Sequence, residues 1–279
     1  MTNFSSSFEE LRVDFINNGI PVDKPGFYDE PNFVNIEKAR PDYLDNYARF
    51  VATKEFSPDY INRARREIPV IANILHDELV KDGRQGACID ASQVLSRIFE
   101  REGFWCYIAK GALTIHFPPS SHLEPKHFCP IDTKEIDAGH VWVVAPPYHI
   151  VDITVKQQPY QKEERDFLPD LLLQQGVIEG RVNSEDILSE SVRLYLQLER
   201  VSEEQMIARA NPNVLLHTSI FKPNIVSYNI TTLKYIQVAS SASDGQLEDI
   251  IALKLSGRTG IQIYKEIILP TLSELRSGK

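Results

Sequence analysis

The sequence predicts a mixed α+β fold in which a helical segment leads into an antiparallel sheet, and three patterns carry that prediction. Apolar residues recur at helical spacing between Ser57 and Gly103, β-branched and aromatic runs follow at 104–108, 140–144 and 148–155, and helical and β-branched stretches then mix over 161–279. These patterns divide the chain into an N-terminal arm (1–56), a core (57–160) and a mixed C-terminal region (161–279).

Pro21, Pro25 and Pro31 break any long element in the arm, which is expected to be irregular with short helices. Ser57-Pro58 then reads as a helix cap with proline at the first helical position. Ile61, Ala64, Ile68, Ile71, Leu75 and Leu79 form its apolar stripe, with Pro69 expected to kink the helix or start a second one, and Asp82-Gly83 to end it. A further helix opens at Ala87 and buries Ala91, Val94, Leu95, Ile98 and Phe99 before Glu102-Gly103. Cys88 therefore falls in its first turn.

Phe104–Ile108 reads as a strand closed by Gly111, and Pro146-Pro147 as a tight turn between the strands 140–144 and 148–155. A turn centred there places His140 opposite Asp152, within reach of a hydrogen bond, and a slip of one residue would separate them onto opposite faces. Beyond Tyr160, helices are expected over 170–175, 185–210, 246–256 and 261–275, with β-branched runs over 214–240. Ser256-Gly257-Arg258-Thr259-Gly260 reads as a helix break; it lacks the lysine and spacing of a phosphate-binding loop.

Of the 279 residues, 42% are hydrophobic and 25% charged, an ordinary balance for a folded protein. The net charge of −9 argues against nucleic acid as a partner, since a polyanion selects concentrated basic surface. The longest apolar stretch, Ile68–Leu75, is far short of a membrane span, so no membrane partner is expected. Three cysteines and no evident secretory leader suggest a reducing cytoplasm. Oligomeric state is left open, and no cofactor is implied.

The order Cys88, His140, Asp152 supplies a nucleophile, a base and a group to orient the base. The helix dipole and free backbone N–H groups at a helix start both favour thiolate, and the N–H of Cys88 is aimed to donate to an oxyanion. Gln85 is a weaker candidate for a second oxyanion donor.

These local patterns resemble a known superfamily. Gly86-x-Cys88-x-x-Ala91 with Leu95, Gly103 and Gly111, then His140-Val141-Trp142, then Val151-Asp152-Ile153-Thr154, resemble the nucleophile, histidine and aspartate motifs of the transglutaminase-like superfamily over about residues 83–156. The resemblance implies a papain-like core, with the cysteine on a helix packed against an antiparallel sheet. It implies Cys88 as nucleophile, His140 as base and Asp152 as orienter, and suggests that Trp142 shields the site. The chain departs from the pattern in a polar insertion from about His116 to Ala138, read as an active-site loop, and in having no recognisable calcium site. Crosslinking is therefore not implied.

The expected function is a cysteine-dependent hydrolase that cleaves a peptide, isopeptide or side-chain amide through a thioester, with a protein or peptide substrate. The alternatives are acyl transfer to an amine, of the transglutaminase or arylamine N-acetyltransferase kind, and a non-catalytic peptide-binding module. The C-terminal region is expected to act as a lid, a specificity element or a partner surface. Cys106 and Cys129 read as structural. His116, His122, His127 and Cys129 are weighed as a zinc site, but their spacings match no standard one, so no metal is assigned.

Overall fold

A computed structural model describes residues 7–132, 139–243 and 245–278, and shows a mixed α+β protein built on an antiparallel sheet. The N-terminal arm forms three helices, α1 (Phe8–Asn17), α2 (Pro31–Ala39) and α3 (Leu44–Thr53), joined by short 3-10 turns. Ser7 and Glu10 cap α1 reciprocally as a capping box. Phe15, Phe27, Tyr47 and Phe50 pack edge to face, with centroids 4.9–5.7 Å apart.

Helix α4 (Pro58–Asp82) begins at the Ser57 cap and ends at Gly83, whose φ of 72° is the left-handed conformation glycine adopts freely. It runs unbroken through Pro69. That proline cannot donate to the carbonyl of Arg65, four residues back, and the Tyr148 hydroxyl donates there instead at 3.4 Å. Helix α5 (Cys88–Arg101) packs on α4 through Ala91, Leu95, Ile98 and Phe99 against Ile68, Ile71 and Leu75.

Strands β1 (Tyr107–His116), β2 (Lys126–Phe128), β3 (His140–Ala145) and β4 (Tyr148–Asp152) follow, then helix α6 (Lys162–Arg165) and strand β5 (Leu172–Gln174). Helices α7 (Ser184–Ile187), α8 (Glu190–Leu198), α9 (Glu203–Ala210) and α10 (Pro212–Ile220) precede strands β6 (Asn224–Tyr228) and β7 (Thr231–Ser241). The chain closes with β8 (Lys254–Leu255), β9 (Arg258–Thr259), α11 (Gly260–Ile263) and α12 (Leu269–Ser277). The sheet order is β5-β4-β3-β1-β7-β6, with β2 continuing along β1 where β3 leaves it. Residues from both sides of position 160 thus share one sheet.

Helices α4 and α5 cover one face through Val143, Ala145, Val151 and Ile153. The N-terminal helices cover the other through Tyr107, Trp142, Val144 and Tyr235. A third cluster joins α7–α9 to Ala112, Ile236 and Val238. Among the described residues, no helix is long and apolar enough to cross a membrane.

Several local expectations are corrected. Gly111 does not close the first strand; β1 continues through it to His116, because β7 approaches so closely that a Cβ on Gly111 would lie 1.8 Å from the Ile236 carbonyl oxygen. Within 170–175, residues 172–174 form a strand: a short run of leucines has no period of its own, and the open edge of β4 takes it. Residues 212–220 are helical, started by an Asn211 cap and Pro212. Residues 246–256 form turns leading into β8, whose hairpin turns at Ser256 (φ 50°) and Gly257 (φ 82°). The helix over 261–275 is present but widens into a π turn at 264–268, just before Pro270 removes a donor.

Candidate active site

Cys88 is the first residue of α5, preceded by Gly86 at φ 69°. The Gly86 N–H donates to the Gln157 carbonyl at 2.8 Å, tying the chain after β4 to the start of the helix. Cys88 rests on Ile108 of β1 and Val141 of β3 and is 7% exposed.

His140 opens β3 and pairs with Gly111 of β1, where there is no side chain. Its ring is fully buried, with Phe128, Trp142 and Tyr235 around it at centroid distances of 6.1, 6.3 and 6.1 Å. Nε2 lies 2.6 Å from Asp152 Oδ2, while Nδ1 makes no hydrogen bond.

The register that joins the pair differs from the one expected. Val143 pairs with Val151 and Ala145 with Tyr148, with one extra residue of β4 between those pairs. The shift relative to a direct 140–152 pairing is two residues, so both side chains stay on one face as diagonal neighbours.

Asp152 is also fully enclosed. Its Oδ1 accepts the Thr154 N–H at 2.8 Å and the Thr154 hydroxyl at 2.9 Å, and its Oδ2 accepts the Tyr235 hydroxyl at 2.8 Å as well as His140. Burial opposes charge on both partners, but each stabilises the other. His140 is lifted to about 10, with Cys88 adding to the attraction of Asp152, and the Asp152 carboxyl is held below its ordinary range. Both shifts favour the pair as an imidazolium and a carboxylate.

Trp142 lies beside His140, its ring 21° from parallel, and meets Tyr235 edge-on at 5.1 Å. Its far side lines a cleft of about 350 Å³ with Tyr107, Phe221 and Gln237. Gln85 is exposed at the approach to α5. Sequence reasoning gave no role to Thr154 or Tyr235. An Asp-x-Thr spacing is a local signal that side chain and backbone can bond, so Thr154 was open to discovery. Tyr235 carries no local signal, because it reaches Asp152 only through the pairing of β7 with β1.

Of the residues weighed as a zinc site, His127 and Cys129 have other hydrogen-bond partners. His116 ends β1, His127 Nδ1 lies 3.2 Å from the Thr114 hydroxyl, and the Cys129 thiol donates to the Glu185 carbonyl at 3.3 Å. Among the described residues no group of three donors could hold a metal ion. Of the expected active-site loop, residues 133–138 lie outside the described residues; within the rest, Lys126–Phe128 is strand β2. Cys106 is buried and its thiol donates to the Ser96 carbonyl at 3.5 Å. Burial pushes the Cys106 thiol well up, and lifts Cys129 to about 11.

No protein-family model, no curated protein and no solved structure matches the chain.

Proposed function

We propose that this chain is a cysteine-dependent hydrolase of the transglutaminase-like kind, cleaving a peptide, isopeptide or side-chain amide bond with Cys88, His140 and Asp152. The observation that carries the reading is the buried His140–Asp152 pair at 2.6 Å, with the opposite ring nitrogen unbound and Cys88 among the groups that stabilise its charge. A buried Nδ1–H without an acceptor is costly, and a thiolate at Cys88 would satisfy it. The packing of α5 on an antiparallel sheet supports the papain-like core.

In this mechanism the Cys88 thiolate attacks the substrate carbonyl carbon, and the carbonyl π electrons move to oxygen. Backbone N–H groups at the start of α5 face that oxyanion, because the first turn of a helix has no internal acceptors for them. The tetrahedral intermediate collapses to a thioester as the C–N bond breaks, and the leaving amine takes a proton from His140. His140 then accepts a proton from water as it attacks the thioester, releasing a carboxylic acid and restoring the thiolate and imidazolium. Asp152 remains ionised throughout. A protein or peptide substrate and a cytoplasmic setting belong to the same proposal.

One observation favours a non-catalytic peptide-binding module. The cleft that Trp142 lines with Tyr107, Phe221 and Gln237 is lined by neither Cys88 nor His140. The test is the rate of iodoacetamide labelling at Cys88 against pH, read by mass spectrometry in wild type and His140→Ala. Labelling below pH ~7 faster than a free thiol of pKa ~8.5, lost in the variant, supports the enzyme. Slow labelling with the same profile in both supports the binding module, for which Cys88→Ala leaves peptide affinity unchanged.

A further inference from the structure

We propose that Tyr235 is a positioning residue that fixes the Asp152–His140 couple, a role that rests on the catalytic reading above. Asp152 accepts four hydrogen bonds on two oxygens. Thr154, two residues along the same segment, supplies both donors to Oδ1. Tyr235, brought in from β7, donates at 2.8 Å to Oδ2, the atom that faces His140 Nε2 at 2.6 Å.

One oxygen is thus set locally, and the other from across the sheet. A carboxylate held only through Oδ1 keeps freedom to rotate about Cβ–Cγ; a second anchor on Oδ2 removes it. The direction of the Nε2–Oδ2 bond then fixes the plane of the imidazole and the aim of Nδ1, the atom that the proposed mechanism pairs with the Cys88 sulfur. Trp142 bounds the ring at 6.3 Å but makes no hydrogen bond to Asp152. It does hold the Tyr235 phenol, meeting it edge-on at 5.1 Å. Burial and the Asp152 charge keep the Tyr235 hydroxyl protonated, so it is a donor at every working pH.

Tyr235→Phe deletes the hydroxyl and keeps the ring. Tyr107→Phe is the control, since its hydroxyl donates to Gln237 Oε1 at 3.3 Å on the same face and does not touch Asp152. Two readouts are taken on folded protein: the titration of His140 in 15N-histidine-labelled protein, assigned with His140→Gln, and the pH profile of Cys88 alkylation. In Tyr235→Phe, Oδ2 loses a donor that competes with His140, so the His140 midpoint should rise by about half a pH unit, while the freed carboxylate slows alkylation at pH ~7 about tenfold; Tyr107→Phe leaves both as in wild type.

An unchanged or lowered His140 midpoint in folded Tyr235→Phe overturns the proposal, and so does alkylation at the wild-type rate. Should that variant fail to fold, 3-fluorotyrosine at position 235 makes the hydroxyl a stronger donor within the same ring, and a His140 midpoint that does not move is equally fatal. An unreactive Cys88 in wild type defeats the catalytic reading alone, because the His140 titration still decides whether Tyr235 fixes the couple.

Discussion

Asp152→Asn preserves the shape of the side chain and removes its charge, so it isolates what the carboxylate does for His140. The amide oxygen can still accept from Thr154, but the amide nitrogen then faces His140 Nε2, which must turn from donor to acceptor. The imidazole becomes neutral, with its proton on Nδ1, and can no longer take one from the thiol. In wild type the folded His140 value of about 10 lies above the 6.5 of a free imidazole. The stability this contributes is therefore complete below pH ~6.5 and is lost as pH rises through about 10. Between neutral pH and that midpoint the loss is on the order of 3 kcal/mol, taking each pKa unit as about 1.4 kcal/mol. Asp152→Asn has no such raised titration, so its stability deficit relative to wild type should be largest at pH ~6 and shrink by about that amount between neutral pH and pH ~10. Urea unfolding of both proteins at pH ~6, ~8 and ~10 measures the difference, and cancels every other group that titrates alike in the two. Parallel curves would show that the carboxylate does not hold the charge on His140, and would refute the reasoning.

Two further outcomes follow from other parts of the fold. Gly111→Ala drives a Cβ to 1.8 Å from the Ile236 carbonyl oxygen, where backbone must move, so it should lower stability by roughly 3 kcal/mol in urea; a loss under about 1 kcal/mol would show that β1 and β7 separate easily. Glu100 accepts from Tyr28 at 2.6 Å and Arg97 at 2.9 Å, and burial, opposed chiefly by Arg97, lifts it from 4.5 to about 7. Its contribution is complete below pH 4.5 and lost as pH rises through about 7, so the stability of wild type relative to Glu100→Gln should fall by on the order of 3 kcal/mol from pH ~4 to ~8. A constant difference across that range would contradict the buried, unfavourable ionisation of Glu100.

The sequence exposes the parts of this structure that are local and leaves out those that depend on assembly. Ser57-Pro58 and Gly83 mark the two ends of α4 because caps act within a turn. Cys88 at the start of α5 is legible from the apolar spacing that begins at Ala87, because α5 has no side-chain cap. The His140–Asp152 pairing survives a register two residues from the expected one because parity, and not the pair itself, decides which face a side chain occupies. Gly111 misleads because a glycine reads as punctuation, whereas here it admits the backbone of a strand more than a hundred residues away. Tyr235 is invisible for a related reason: in sequence it is one of several aromatic residues in a β-branched run, and only the sheet order turns its hydroxyl toward Asp152. Leu171-Leu172-Leu173 shows the converse, a segment whose conformation is chosen by the free edge beside it.

The placement of β7 between β1 and β6 has a consequence for the order of events during synthesis. Cys88, His140 and Asp152 all leave the ribosome before Tyr235, yet β1, the strand at the centre of the sheet, keeps one edge open until β7 arrives. Because synthesis at about 5–20 residues per second is slow beside strand pairing, the nascent chain carries its thiol for seconds without the hydroxyl that completes the Asp152 shell. The last part of the sheet to be translated is thus the part that brings Tyr235 to Asp152, and a chain truncated before residue 231 has the three side chains of the proposed site without that strand.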